Sequence, residues 1–88
     1  MAKQEKLFSS SDLPLVAVLR MTKGIKFEGT SQETEKKLIF YFSPAKKAEE
    51  VSQKFYNREL KVEPFDYFQT IKSLKSLIYS ELNRYNAY

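Results

Sequence analysis

Five consecutive apolar residues, Leu38-Ile39-Phe40-Tyr41-Phe42, sit between Glu35-Lys36-Lys37 and Ser43-Pro44. Successive side chains of a strand face opposite sides. Leu38, Phe40 and Phe42 therefore share one face, and Lys37, Ile39 and Tyr41 share the other. A strand apolar on both faces belongs in the middle of its sheet. Just before it, Ile25-Lys26-Phe27-Glu28 alternates apolar with polar, the pattern of a half-buried strand. Residues 29–34, Gly-Thr-Ser-Gln-Glu-Thr, read as the turn between the two, which gives an antiparallel hairpin.

Helical patterns surround this hairpin. Lys6-Leu7-Phe8-Ser9 reads as a short first strand, and residues 1–6 as a frayed polar start. Ser9, Ser10, Ser11 and Asp12 are capping types, with Ser11 or Asp12 placed to accept from the first-turn N–H groups. Pro14 is compatible with that turn. The first helix spans 12–22 and is apolar nearly all round, so it is buried on more than one side. A Val-rich strand is the competing reading. Lys23-Gly24 supplies a left-handed stop. Ser43-Pro44 opens a second helix, with Pro44 at its first position and Glu residues early, running to about Arg58. Ala48, Val51 and Phe55 form its core stripe. Leu60 to Pro64 is an extended connector, because a residue preceding proline avoids the helical region. A third helix runs from Pro64 to about Arg84, with Tyr67, Ile71, Leu74, Ile78, Leu82 and Tyr85 spaced 4, 3, 4, 4, 3, and Phe65, Phe68 and Leu77 widening the stripe.

The order β-α-β-β-α-α predicts an α+β fold: a small, three-stranded, mostly antiparallel sheet packed by three helices. A chain of 88 residues supports one domain, placed at 7–85 with a short tail at 86–88. The sequence lacks Cys, His and Trp, which removes disulfides, thiol nucleophiles, imidazole and thiolate metal sites, and every triad with a His base. Gly24 and Gly29 are its only glycines, too few for a phosphate-cradling loop. No apolar stretch approaches the ~20 residues of a membrane span, and the charged start is unlike a signal peptide. A cytoplasmic location, no cofactor and no small-molecule substrate are expected.

Two stretches resemble a family of small uncharacterised domains from bacteria and their phages or mobile elements. The first is Phe8-Ser9-Ser10-Ser11-Asp12-Leu13 with Ala17 and Leu19. The second is Tyr56-Asn57-Arg58-Glu59-Leu60-Lys61-Val62-Glu63-Pro64-Phe65 with Phe68 and Lys72-Ser73-Leu74-Lys75-Ser76-Leu77-Ile78-Tyr79. The resemblance implies the fold and a mobile-element context, and transfers no catalytic residue.

The close carboxylate pairs, Glu33/Glu35 and Glu49/Glu50, read as solvated faces, and Glu49 and Glu50, adjacent on a helix, diverge by ~100°. No catalytic or metal-binding residue is expected, and the chain is not expected to be an enzyme. Lysines and arginines outnumber acids 15 to 11. Basic residues beside exposed rings suit single-stranded nucleic acid, because cations neutralise phosphate and rings stack on bases. The candidate face for a partner or nucleic acid comprises Lys26, Lys36, Lys37, Ile39, Tyr41, Lys47, Lys54 and Arg58. If a helix instead covers Ile39 and Tyr41, that face is core. Apolar excess and a Tyr-rich end mark Tyr79, Tyr85 and Tyr88 as candidate oligomer contacts. The expected function is a non-catalytic interaction or accessory protein, encoded by a phage or mobile element. It would act through another protein or through self-assembly as a homodimer or larger assembly. The alternative is a small basic nucleic-acid-binding protein using a Lys/aromatic sheet face.

Overall fold

The computed structural model describes residues 6–85. The elements are β1 (Phe8–Ser10), α1 (Leu13–Met21), β2 (Lys26–Thr34), β3 (Lys37–Ser43), α2 (Ala45–Tyr56) and α3 (Pro64–Tyr85). The order is the expected β-α-β-β-α-α, and the sheet is antiparallel throughout with β3 in the middle of β1-β3-β2. Of the start expected to fray at 1–6, residues 1–5 lie outside the described residues, as does the tail at 86–88.

The core follows from the alternation of β3. Leu38, Phe40 and Phe42 are all but fully buried. They pack with Leu15, Val16, Ala17 and Leu19 of α1, Ala48 of α2 and Leu74 of α3. All three helices therefore cover one face of the sheet. The result is a two-layer slab whose Cα extents are 44 × 42 × 19 Å. Burying each large apolar side chain contributes ~1.5–3 kcal/mol, and among the described residues no polar or charged residue is buried with them. The consecutive buried residues Leu15 to Leu19 show α1 enclosed on several sides, as its all-round apolar character predicts. It contacts β1, α2 and α3.

Several local expectations are corrected. Residues 29–34 are not the turn, because β2 continues through them to Thr34 and the chain reverses at Glu35-Lys36. Polar Thr and Ser fit an edge strand, and Gly29, at φ 130°, takes up a bulge between Phe27 and Gly29 that a Cβ would strain. A second irregularity lies between Gln32 and Thr34. Bulges at both ends and exposed charges at Lys26, Glu28 and Glu33 blunt this open edge against pairing with another strand. The first strand is shifted to Phe8–Ser10.

The helix ends also differ in detail. The side chain of Asp12, the N-cap of α1, makes no capping hydrogen bond, and Asp12 N–H instead donates to Ser10 Oγ at 3.1 Å. α1 ends at Met21 with Thr22 as cap, so Gly24 (φ 87°) serves the following turn and not the cap itself. Pro44 is the N-cap of α2 and not its first helical residue, and no acid occupies the first turn. At the other end of α2, Arg58 N–H donates to Phe55 O and Glu59 N–H to Lys54 O. Together with φ 62° at Arg58, this is a Schellman stop built on arginine where glycine is usual. α3 begins where Glu63 accepts from Asp66 N–H through Oε1 at 2.8 Å. That bond satisfies one of the helix's free donors.

Candidate interaction surfaces

The molecule presents two candidate surfaces, one on each layer of the slab. The first is the sheet face turned away from the helices. Ile39 and Tyr41 lie there, half-buried, opposite Ser31 and Gly29 of β2. The Tyr41 hydroxyl shares a 2.8 Å hydrogen bond with Ser31 Oγ, and Ser43 Oγ donates to Glu28. Among the described residues no helix covers this face: α3 sends Leu74 into the core with Phe40 and Phe42, on the opposite side. Lys26 and Lys37 mark the two ends of the ladder, opposite Ser43 and Thr34, and Lys37 pairs with Glu33 at 3.6 Å.

The other basic residues singled out in the sequence lie elsewhere. Lys47, Lys54 and Arg58 belong to α2 or its end, on the helical layer, so the structure does not bring them together with Ile39 and Tyr41. The Lys47 ammonium lies against Gly24. Lys54 lies with Lys61 on the rim of an apolar cleft of about 450 Å³ between α1, α2 and the connector, walled by Val18, Met21, Val51 and Val62. Nearby, the Tyr56 hydroxyl donates to Asp12 Oδ2 at 2.5 Å, tying the end of α2 to the start of α1. This hydrogen bond, a small loss of hydration and the negative charge of Asp12 all push the Tyr56 phenol up from its ordinary value.

The second surface is the outer side of α3. Phe65 and Phe68, expected to widen the inward stripe, point outward and are 65% and 59% exposed. Helical geometry explains the correction: at ~100° per residue both lie roughly 120–180° from Leu74. Counting on from Phe65, Lys72, Lys75 and Tyr79 fall with them inside an arc of roughly 80°. All are exposed, Tyr79 at 71%. The Lys72 ammonium sits 5.5 Å from the Phe68 ring centre. Lys36, in the hairpin turn, joins Lys75, Ile78, Tyr79 and Leu82 around an open cleft of about 390 Å³.

The helix has no carboxylate between Tyr67 and Ser80. Its acids stand at the ends: Asp66 in the first turn and Glu81, which meets Thr30 and Arg84. Among the described residues, Lys36, Lys72 and Lys75 form no ion pair. Of the tyrosines expected at an oligomer contact, Tyr79 is on this surface, Tyr85 closes α3, and Tyr88 lies outside the described residues. Two signals for this surface were present in the sequence: the angular position of the rings, and the run from 67 to 80 that holds lysines and no acid.

The second stretch of sequence that carries the resemblance, from Tyr56 to Tyr79, contains all of this outer arc except Lys36. The chain belongs to the DUF5659 family, a domain of unknown function, matched over residues 5–80. The match takes in every element except the last turn of α3, and therefore the whole arc from Phe65 to Tyr79. No curated protein and no solved structure matches the chain. Among the described residues no group of Asp and Glu could hold a metal ion, and no helix is long and apolar enough to cross a membrane.

Proposed function

We propose that this domain is a non-catalytic interaction protein whose working surface is the outer face of α3 and whose partner is an anionic macromolecule. One observation carries the reading: three exposed rings and two lysines share one arc of a helix from which carboxylates are absent over 67–80. Exposed apolar groups gathered on one face favour a partner, and the unpaired lysines select its sign. Self-association through this arc is disfavoured, because an isologous dimer would set Lys72 and Lys75 of one copy against those of the other. A bacterial, phage or mobile-element origin and a cytoplasmic setting belong to the same proposal, supported by the resemblance of the stretches at Phe8 and Tyr56.

Retention on an immobilised polyanion tests the reading. A basic chain is retained by charge alone, so the Lys72→Glu/Lys75→Glu pair is compared with Lys54→Glu/Lys61→Glu, an equal change of charge elsewhere. The first pair should elute at clearly lower salt than the second. Equal elution would refute the placement on α3.

A second reading, contact with another protein, is favoured by the apolar cleft walled by Val18, Met21, Val51 and Val62. A Val62→Gln variant, which leaves the charge unchanged, would close that cleft to an apolar side chain while leaving polyanion retention unchanged.

A further inference from the structure

We infer that the anionic partner of the α3 face is single-stranded nucleic acid, with Phe68 and Tyr79 stacking on unpaired bases and Lys36, Lys72 and Lys75 meeting phosphates. The inference rests on the proposed α3 surface and names its partner. The side chains of α3 are sorted largely by kind as well as by polarity, Tyr67 being the ring that packs inward. Its aliphatic residues Ile71, Leu74, Leu77, Ile78 and Leu82 all pack against the core. The large apolar groups left outside are Phe65, Phe68 and Tyr79, all of them rings.

A helix that docks on an apolar groove of another protein presents aliphatic and aromatic anchors together at i, i+3, i+4 and i+7. Here the aliphatic anchors are spent on the core. Rings alternating with cations are what a nucleic-acid strand needs: every base has a face to stack, and every nucleotide a phosphate to neutralise. Lys72, 5.5 Å from the Phe68 ring centre, stands one turn from that ring and can reach a phosphate beside a base stacked on it. Lys36 and Lys75 line the same cleft as Tyr79, within reach of a phosphate beside a base stacked on it. From Phe65 to Tyr79 the helix advances ~21 Å at 1.5 Å per residue, room for about six nucleotides at the 3.4 Å stacked rise. The neighbouring side chains Gln69, Ser73, Ser76 and Ser80 are neutral and small or amide-bearing, and the acids of the helix stand beyond them at Asp66 and Glu81.

A duplex is a poorer fit, because its bases are already stacked and offer the rings nothing. A plain acidic polypeptide would satisfy the lysines and leave the exposed rings without a face to stack on.

Fluorescence anisotropy with a labelled oligothymidylate of about twelve nucleotides, its duplex with oligoadenylate, and polyglutamate as competitor tests the inference. The single strand should bind more tightly than the duplex. Its log affinity should fall with log salt at a slope of about −2, from three lysine contacts at ~0.7 each. Tyr79→Ala and Phe68→Ala should each weaken it roughly five-fold or more, whereas Tyr79→Phe, which keeps the ring, should bind like the parent. Circular dichroism checks that each variant is folded.

If polyglutamate competes as well as the oligonucleotide, or if ring removal leaves single-strand affinity unchanged, the strand is not the partner, while the polyanion surface stands. If the duplex binds equally and ignores ring removal, the stacking assignment is overturned. If no polyanion binds at low salt, the α3 reading itself falls with it.

Discussion

Both sides of α3 carry large apolar groups, put to opposite uses. The inner side sends Leu74, 2% exposed, into the centre of the core, with Ile71, Leu77, Ile78 and Leu82 packed around it. The outer side leaves Phe65, Phe68 and Tyr79 in solvent among lysines. Branched aliphatic groups fill the interior, where close packing governs stability. Tyr67 joins them there, whereas Phe65, Phe68 and Tyr79 stay outside, where their faces remain available. Stability and recognition are therefore separable on one helix, and substitutions on the two sides should have different consequences.

The largest effect belongs to the inner side. Leu74→Ala should destabilise by ~2–5 kcal/mol, read by urea denaturation. Ile71→Ala and Ile78→Ala, whose side chains are half-buried, should cost less, about 1–2 kcal/mol each. A Leu74→Ala variant as stable as its parent would break the comparison at its centre.

Next in size is a gain. Arg58 holds a left-handed conformation in the stop of α2, and Arg58→Gly should stabilise by about 0.5–1 kcal/mol. Its polyanion affinity should fall no more than removal of one charge elsewhere on the surface does, because Arg58 stands at the end of α2 and not on the α3 arc. A larger loss would extend the working surface to the end of α2.

On the outer side, Phe65→Ala, Phe68→Ala and Tyr79→Ala should each shift stability by no more than ~0.5 kcal/mol, as expected for exposed positions. Cooperative loss of folding in any of them would return that ring to the core.

The smallest effect is a titration. The raised phenol of Tyr56 should ionise above the ordinary tyrosine range, and Asp12→Asn should lower it toward that range. A group whose folded value is raised contributes stability that is present below its unfolded value and lost as pH rises through the folded one. The Tyr56–Asp12 tie should therefore hold at neutral pH and weaken only in alkali. Difference absorbance of the ionised phenol reads this directly.

Much of the fold was legible because each main element rests on a periodic pattern. The alternation of Leu38, Phe40 and Phe42 specifies the core face of β3, and the spacing from Tyr67 to Leu82 specifies the inner side of α3. What was not legible lacked such a pattern. Gly-Thr-Ser-Gln-Glu-Thr has the composition of a turn, and it becomes strand because β3 offers it a ladder and Gly29 absorbs a bulge. The end of α2 carries no glycine, so its left-handed stop at Arg58 leaves no local trace. The bias of Ile39 and Tyr41 toward a site or toward the core depended on where α3 packs, a tertiary fact. The outer arc was present in the numbers 65, 68, 72, 75 and 79, but ring and aliphatic positions merged into one wide stripe until their angles to Leu74 were separated.

The central claim is that α3, and not the open sheet face, is the working surface. Backbone amide shift mapping by NMR during addition of a short oligothymidylate tests it most directly. Perturbations should concentrate at Phe65, Phe68, Lys72, Lys75 and Tyr79, with Lys36 joining them across the cleft, while Ser31, Ile39 and Tyr41 stay unmoved. Perturbations centred on Ser31, Ile39 and Tyr41, with α3 silent, would contradict it.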